Sequence, residues 1–417
     1  MFIEINKRKE CGILFVALKQ NGERLNLLQP LGKELLQEMR EREVFFCPVC
    51  ESEVQLKLGT RKKYHFAHKR TMVCKLDLEP ESAYHLAGKE MLYHWFKTQG
   101  FLTEPEVYLP SIRQRPDLLL TRADVQAAVE FQCSPIPTKR FLERTHSYWR
   151  EGLRVLWILG GNQYKRYAAH WLRLSSFPAL FAQNRIPYVL YFCPDHASFF
   201  KCSPLLPFSS STSFAHTFVH RISSATISSI FSPSLFSFEQ LEQQWLQKKK
   251  RWRMGQFLHM RRGYEEFFQY MYTKGISPSR LPAEAGVPLP SLLAIQTPAI
   301  IWQSLILFDL IEPMRAGESL PFWQIVRYVE QHSVIQRRVL PYYPFSYFKR
   351  TLKEYMAFLC ASDLIELVSG QTYRRKQVSI VPQTEGEAFA RDEEAMKHAL
   401  LLFRNEQSAT SAAEKRI

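Results

Sequence analysis

The chain has 417 residues, of which 46% are hydrophobic and 13% are aromatic. This length predicts two to three domains, and the apolar content excludes a wholly disordered or collagen-like protein. Lys and Arg number 55 against 40 Asp and Glu, a formal net charge of +15 at pH 7, which favours nucleic acid as the partner over an anionic membrane surface.

Targeting signals and cysteine usage indicate the compartment. The segment from Met1 to Lys9 lacks the apolar region of a signal peptide, and no apolar stretch is long enough to span a membrane. The 8 cysteines are widely scattered, which is too sparse for a disulfide framework. We therefore expect a cytoplasmic protein without membrane contact, in which the one close cysteine pair binds metal.

The first part of the chain predicts a small β-rich unit. Two apolar runs, 13–18 and 25–28, flank Asn21-Gly22, a dipeptide that supplies the positive φ of a tight hairpin turn. A short helix is expected over 32–42. We assign residues 1–75 to this N-terminal module.

A cysteine and histidine cluster follows within the same module. Cys47 and Cys50 are separated by two residues, and so are His65 and His68; a hairpin between these pairs would let them surround one tetrahedral Zn²⁺. Cys74 is an alternative ligand, and a metal-free cluster of packed thiols and imidazoles is the alternative interpretation. With four protein ligands the zinc would be structural.

Six elements then follow in the order αβββαβ. Helical periodicity without proline predicts a helix over 81–100. Short β-type runs at 107–109, 117–120 and 127–131 precede a second helix, 137–152, and a further strand at 155–159. The pattern predicts an α/β domain over 76–202.

Polar residues within two of these strands indicate a cation site. Asp117 opens one strand and Glu130 lies near the end of the next, so a hairpin would place both carboxylates side by side. Glu130 and Gln132 share a face of their strand because side chains alternate. Paired carboxylates suit a hard cation such as Mg²⁺ or Mn²⁺. An ordinary solvent-facing strand side is the alternative.

These motifs together resemble the competence protein CoiA family over residues 1–200. The resemblance rests on the Cys/His pairs and on a set of polar motifs: Glu81-Ser82 with His85 and Lys89, Arg115-Pro-Asp117, Val129-Glu-Phe-Gln-Cys-Ser134, Glu143-Arg-Thr145 with Tyr148, and Leu156-Trp-Ile-Leu-Gly160. It implies a zinc-binding N-terminal module and a restriction-endonuclease-like core of the PD-(D/E)XK superfamily, acting on incoming DNA in genetic transformation.

The superfamily pattern assigns roles to particular residues. Asp117 and Glu130 become the metal-binding acids, and Gln132 stands where lysine is usual. Glu81, His85 and Lys89 share a helix face at spacings of four residues, so they either border the metal site or form a solvated face. Glu81 and His85 are assigned to catalysis, and Lys89, Arg144 and Tyr148 to nucleic-acid contact.

The second half begins with a change of composition. Residues 203–236 contain eleven serines and a single charged residue, Arg221, and we predict a linker there. The following residues, 237–417, predict a mainly helical domain. Helix 347–365 with the hairpin 364–376 resembles the recognition helix and wing of a winged helix.

A basic run in the second half is a further candidate for DNA contact. It comprises Lys248, Lys249, Lys250, Arg251 and Arg253, interleaved with tryptophans, a composition suited to phosphate attraction and base stacking. A plain solvated helix face is the alternative.

Two functions follow from these patterns and the resemblance. The first is a metal-dependent DNA nuclease of transformation and recombination, acting on single-stranded or branched DNA, with recombination proteins as further partners. The second is a non-cleaving DNA-binding or adaptor protein that keeps the fold.

Overall fold

The fold is known from a computed structural model. It describes residues 13–59, 63–69, 74, 82–260, 262–315, 317–376 and 381–414. The chain divides into two compact units. The first comprises 1–163, 190–200 and 219–231, and the second comprises 164–189, 201–218 and 232–417.

The described residues form strands and helices along most of their length. The strands are β1 (Ile13–Leu14), β2 (Val16–Lys19), β3 (Arg24–Asn26), β4 (Phe45–Phe46), β5 (Glu53–Lys57), β6 (His65–His68), β7 (Leu102–Pro105), β8 (Leu118–Arg122), β9 (Val125–Gln132), β10 (Arg154–Gly160), β11 (Arg166–Ala168), β12 (Trp171–Arg173), β13 (Val189–Cys193), β14 (Ser198–Pro207), β15 (Thr212–Arg221), β16 (Ser319–Pro321), β17 (Ile365–Ser369) and β18 (Thr372–Arg375). The helices are α1 (Lys33–Arg42), α2 (Ala83–Thr98), α3 (Thr138–Arg150), α4 (Ser176–Ala179), α5 (Ile227–Phe231), α6 (Phe238–Arg251), α7 (Phe257–Met260), α8 (Glu265–Thr273), α9 (Ala299–Ile306), α10 (Phe322–Gln331), α11 (Tyr347–Ala361) and α12 (Glu385–Glu414).

The N-terminal module of the first unit is an antiparallel sheet in the order β1-β6-β5-β4-β2-β3. The predicted hairpin at Asn21-Gly22 is present, because β2 pairs with β3 and Gly22 has a φ of +83°. Phe45, Val54 and Phe66 are buried in the core of this sheet. Cys47 and Cys50 lie in the turn that joins the paired strands β4 and β5.

The αβββαβ order is present in the first unit as α2, β7, β8, β9, α3 and β10. Here the strands lie in the order β13-β10-β9-β8-β7, with β8 antiparallel to β9 and β9 parallel to β10. The first predicted strand was misplaced: β7 covers 102–105, not 107–109. Strand β7 ends at Pro105 because the next residue, Glu106, has a φ of +54°. This left-handed backbone conformation interrupts a strand.

The predicted linker over 203–236 was wrong. Its first part lies in β14 and β15, two ten-residue strands. Phe208 and Phe214 are buried in the core of the second unit. The low charge count here reflects the burial of β14 and of the first half of β15, since charged side chains are costly to bury. The two units also differ from the predicted boundaries, because 164–189 and 201–218 belong with the C-terminal part of the chain.

The second unit is mainly helical around one large apolar core. Helix α9 continues into a π-helical turn at 307–311, whereas α6 is followed by a kink in which Gly255 has a φ of +119°. A small antiparallel sheet in the order β16-β18-β17 packs with α10 and α11. Among the described residues no helix is both long enough and apolar enough to cross a membrane.

Candidate functional site

The cysteine cluster lies at one end of the N-terminal sheet. Cys47 and Cys50 sit in the tight turn between β4 and β5, where Glu51 N–H donates to Cys47 O at 2.9 Å. His68 ends β6, and Cys50 Sγ lies 3.2 Å from His68 Nε2. Ligand atoms of Cys47, Cys50, His68 and Cys74 all lie within 4.8 Å of one another.

These donors fit a metal ion. Three thiols and one imidazole are the ligand types that tetrahedral Zn²⁺ prefers. A hydrogen bond with Cys74, together with burial, raises the pKa of the Cys47 thiol. The thiol would therefore ionise only beside a strong cation, which is how a structural metal couples to folding.

His65 is not brought to this cluster, and the fourth potential ligand is Cys74, the alternative to the histidine pair. His65 and His68 are three residues apart on β6, so their side chains point to opposite faces of the sheet. The Nδ1 atom of His65 lies 2.7 Å from Lys63 O instead. The prediction of His65 as a zinc ligand was therefore wrong.

The two predicted carboxylates are adjacent. Leu118 of β8 pairs with Val129 of β9, so Asp117 and Glu130 occupy the next opposed positions of the same antiparallel pair. The Oδ2 atom of Asp117 accepts a hydrogen bond from Phe131 N–H at 2.9 Å. The hairpin therefore fixes Asp117 to the strand that carries Glu130.

Glu130 is buried and held by two donors from α3. Tyr148 Oη–H donates to Glu130 Oε1 at 2.5 Å, and Arg144 donates to the same oxygen. Burial raises the pKa of the Glu130 carboxyl to about 7, opposed by the charge of Arg144 and reinforced by that of Asp117. Oε2 of Glu130 takes part in neither bond, so it can face a cation.

Helix α2 supplies the groups around Asp117. His85 Nε2 lies 3.2 Å from Asp117 Oδ2, and Lys89 Nζ lies 3.4 Å from Asp117 Oδ1. Burial alone would raise the pKa of Asp117, but the charges of His85 and Lys89 hold it well below its usual range. Asp117 is therefore an anion at neutral pH.

A glycine sets how closely α2 approaches β9. A Cβ atom at Gly88 would lie 2.1 Å from the ring of Phe131, so any larger residue would push the helix away from the strand. The ring of His85 stacks on the same phenylalanine at 5.6 Å. Gly88 thus places His85 and Lys89 beside Asp117.

Glu106 is a buried carboxylate next to the site that the sequence patterns did not indicate. It is 1% exposed, and its Oε1 accepts from Lys89 Nζ at 2.8 Å. Its Oε2 accepts from Phe15 N–H at 2.8 Å and from Val16 N–H at 3.2 Å. Glu106 therefore joins the backbone of the N-terminal sheet to the lysine beside Asp117.

Three residues predicted to contact nucleic acid instead point inward. Lys89 is fully buried between Glu106 and Asp117, and Tyr148 is fully buried on Glu130. Arg144, also mostly buried, pairs with Glu130. The prediction that these side chains reach phosphate was wrong, because Lys89 and Tyr148 lie on the core-facing sides of their helices.

The remaining predicted site residues have different environments. Gln132 is buried, and its Nε2–H donates to Ser134 O at 2.8 Å, which fixes the amide next to the carboxylates. Glu81 lies outside the described residues.

Two residues of the basic run are also structural. Lys249 and Arg253 are buried and form ion pairs with Asp392, at 2.9 Å and 2.7 Å. Their prediction as nucleic-acid contacts was wrong because both cations are buried inside the second unit, where they pair with Asp392. Lys248 lies over the Trp171 ring.

The two other members of the run differ from these. Lys250 and Arg251 are exposed. Their contact with DNA stays a prediction.

Comparisons with known proteins place this geometry in a class. Residues 81–235 match the family described as Competence protein CoiA, nuclease-like domain. The paired carboxylates therefore lie in a nuclease-like domain. Residues 28–77 match the N-terminal domain of the same family, and residues 241–388 its C-terminal domain.

A curated protein narrows the assignment further. Competence protein CoiA of Bacillus subtilis (strain 168) is 31% identical over 356 residues, which cover 82% of this chain and 92% of that protein. The chain belongs to the competence protein CoiA family. No solved structure matches it.

Proposed function

We propose that the protein is a metal-dependent DNA nuclease of genetic transformation, with a catalytic core of the PD-(D/E)XK type. The observation that carries the proposal is the pair Asp117 and Glu130, side by side on neighbouring strands within the αβββαβ elements. Two adjacent carboxylates repel each other, and a divalent cation between them would relieve this repulsion.

The donor set suits Mg²⁺ or Mn²⁺, which take carboxylate oxygens. Bound there, the cation would act as a Lewis acid and lower the pKa of the attacking water. Asp117, ionised at neutral pH, and Oε2 of Glu130 would hold it. Glu130 would lose its proton on binding, since burial raises its pKa to about 7.

Other side chains have supporting roles in this proposal. His85 and Lys89 keep Asp117 ionised and fixed. Arg144 and Tyr148 hold Glu130 in place through their hydrogen bonds to its Oε1 atom. Gln132 would orient water by a hydrogen bond, which is weaker assistance than the lysine usual at this position. DNA, single-stranded or branched, is the proposed substrate, with recombination proteins as partners.

The charge balance around the site favours a second candidate, a non-cleaving DNA-binding or adaptor protein. Lys89 is already paired with Glu106 and Asp117, and Arg144 with Glu130. These pairs neutralise the carboxylates without any metal. In this case the fold would serve binding alone.

Cleavage by the purified full chain separates the two candidates. Single-stranded, duplex and branched DNA would be tested with Mg²⁺ and Mn²⁺ separately, using wild type, Asp117→Ala and Glu130→Ala. The matched control is Asp124→Ala, because Asp124 is an exposed aspartate in the turn of the same hairpin. We expect cleavage by wild type and control only.

Variants of Gln132 refine the test. Gln132→Ala should reduce cleavage less than either acid variant, and Gln132→Lys should raise it by restoring a cation near the scissile phosphate. Cleavage that persists in both acid variants would place the active site elsewhere. A wild type inert on every substrate would favour the adaptor.

A further inference from the structure

The C-terminal part of the second unit contains the elements of a winged helix. Helix α9 is followed in order by β16, α10, α11, β17 and β18. The three strands form a sheet in the order β16-β18-β17, so the first strand pairs with the last. This is the topology in which a helix and a β-hairpin together contact duplex DNA. We propose that α11 and the β17–β18 hairpin form a duplex-DNA binding site separate from the nuclease-like site.

A shared apolar core fixes α11 in this arrangement. Leu352, Tyr355 and Met356 are buried in the same core cluster as Ile325 of α10. The Tyr355 ring meets that of Trp302 of α9 at 5.1 Å. A helix packed on this side is rigid and presents its other side to solvent.

The hairpin is anchored to the same core. Tyr373 of β18 is buried, and so is the neighbouring Arg375. The Nη1–H of Arg375 donates to Met314 O at 2.8 Å. Beyond this anchor, the residues from Leu367 to Gln371 are all exposed, which is the shape of a projecting wing.

The solvent side of α11 is positively charged. Lys349 and Lys353 are exposed and four residues apart, so they lie on one stripe. Neither forms an ion pair with a carboxylate within the part of the chain that the structure describes. Glu354, the acid of α11, points away from this stripe, because its Oε2 accepts from Ser291 N–H at 2.8 Å and its Oε1 from Arg350 at 2.9 Å.

The stripe adjoins the start of α10, because Lys353 Nζ lies 5.6 Å from the centroid of the Phe322 ring. Phe345, just before α11, is 81% exposed, and Trp323 of α10 is 59% exposed. Arg327 of α10 is exposed as well. A surface of exposed cations and aromatic side chains suits a polyanion. It suits a protein partner with few acidic residues much less.

Duplex DNA is the occupant that this geometry favours. The major groove of B-DNA is about 12 Å wide and admits an α-helix. A straight cationic stripe on a rigid helix, with a projecting hairpin next to it, can follow the groove and the adjacent backbone. Single strands are bound by grooves in which aromatic rings stack on successive bases. Here the two exposed rings, Phe345 and Trp323, lie outside α11, and the exposed side of α11 itself carries lysines.

The experiment measures duplex affinity of the full chain in buffer without added Mg²⁺ or Mn²⁺, so that cleavage does not compete with binding. Anisotropy titrations would compare a duplex with a single strand of the same sequence at several salt concentrations. The variant is Lys349→Ala/Lys353→Ala, since alanine keeps the helix. The control is Lys274→Ala/Lys397→Ala, which removes two exposed lysines outside the winged helix. Lys349→Gln/Lys353→Gln replaces the alanine variant if that protein does not fold.

Counterion release sets the expected size. Each lost phosphate contact lowers the salt slope of log K by about 0.9. Losing two contacts should therefore raise the duplex Kd on the order of fiftyfold near 0.1 M salt. The control should change it severalfold at most. Equal losses in both variants, no loss, or a larger loss on the single strand would overturn the inference.

This result is independent of the proposed nuclease activity. If the wild type cleaves no substrate but Lys349→Ala/Lys353→Ala binds the duplex more weakly, the nuclease proposal is contradicted and the winged-helix site is supported.

Discussion

Replacing Glu106 should destabilise the first unit strongly, because this one side chain satisfies three donors. In Glu106→Ala, Lys89 would lose the carboxylate that accepts from it at 2.8 Å, and the N–H groups of Phe15 and Val16 would lose their acceptor. Removing one member of a buried ion pair costs about 3–5 kcal/mol, and a buried N–H without an acceptor about 1–3 kcal/mol. Since such costs are not additive, we expect a loss of about 4–6 kcal/mol.

The isosteric variant separates charge from hydrogen bonding. Glu106→Gln keeps an amide oxygen for the two backbone N–H groups but removes the charge opposite Lys89, so we expect a smaller loss of about 2–3 kcal/mol. The matched control is Glu104→Gln, two residues earlier. The Glu104 side chain is 43% exposed, and its ion pair with Arg24 spans 3.4 Å, an arrangement worth about 0–1 kcal/mol.

The assay is urea unfolding combined with amide hydrogen exchange, which reports the first unit residue by residue. The exchange of Phe15 and Val16 should accelerate in Glu106→Ala. A double variant, Lys89→Met/Glu106→Gln, should cost less than the sum of its single changes because the interaction between the two charges is then lost only once. A Glu106→Gln loss equal to that of Glu104→Gln, or strict additivity in the double variant, would refute this reasoning.

Three further predictions concern packing, metal and pH. Gly88→Ala should destabilise the first unit by about 1–3 kcal/mol, seen in urea unfolding, because its Cβ would lie 2.1 Å from the Phe131 ring. Elemental analysis should show that Cys74→Ser loses zinc and that His65→Ala keeps it, since Cys74 belongs to the cluster and His65 does not. Burial lowers the pKa of His216 from 6.5 to about 4, so the folded chain binds fewer protons than the unfolded chain between these values, and stability falls as the pH falls through this window. His216→Phe should therefore retain more of its pH 7 stability at pH 5 than wild type, measured as urea midpoints.

Each of these has a control and a contradicting result. For Gly88 the control is Gly59→Ala, where a Cβ meets nothing within 4 Å; equal effects would contradict the packing argument. Zinc retained in Cys74→Ser, or lost in His65→Ala, would restore the predicted ligand set. Equal acid sensitivity of wild type and His216→Phe would show that other groups dominate.

Local patterns predicted the carboxylate pair correctly. Asn21-Gly22 and the strand alternation around Asp117 and Glu130 are short-range signals, and a hairpin turns such signals directly into spatial neighbours. The αβββαβ order follows from the same kind of signal. Each of these features depends on residues close together in the chain.

Features that depend on distant contacts were not predictable in the same way. Glu106 contacts Phe15 across 91 positions of the chain, and no periodicity marks such a pair. One signal was nevertheless present: Leu86, Lys89, Tyr93 and Phe96 follow helical spacing, which places the lysine on an apolar face where it needs a buried carboxylate.

Composition was misleading where polar residues are buried. The serine- and phenylalanine-rich segment 203–236 lacks charge because part of it lies inside a sheet, not because it is a linker. The sequence placed Lys249 and Arg253 in a basic surface run. In the structure both form buried ion pairs with Asp392, which lies 139 positions from Arg253. Charge counting cannot separate surface cations from buried pairs.

The central claim is that Asp117 and Glu130 form a divalent-cation site. The most direct measurement is the anomalous scattering of crystals soaked in Mn²⁺ at neutral or higher pH, where Glu130 ionises. We predict a peak between the two carboxylates, at about 2.1 Å from an oxygen of each. An empty position there, or a Mn²⁺ peak held by other residues, would contradict the claim.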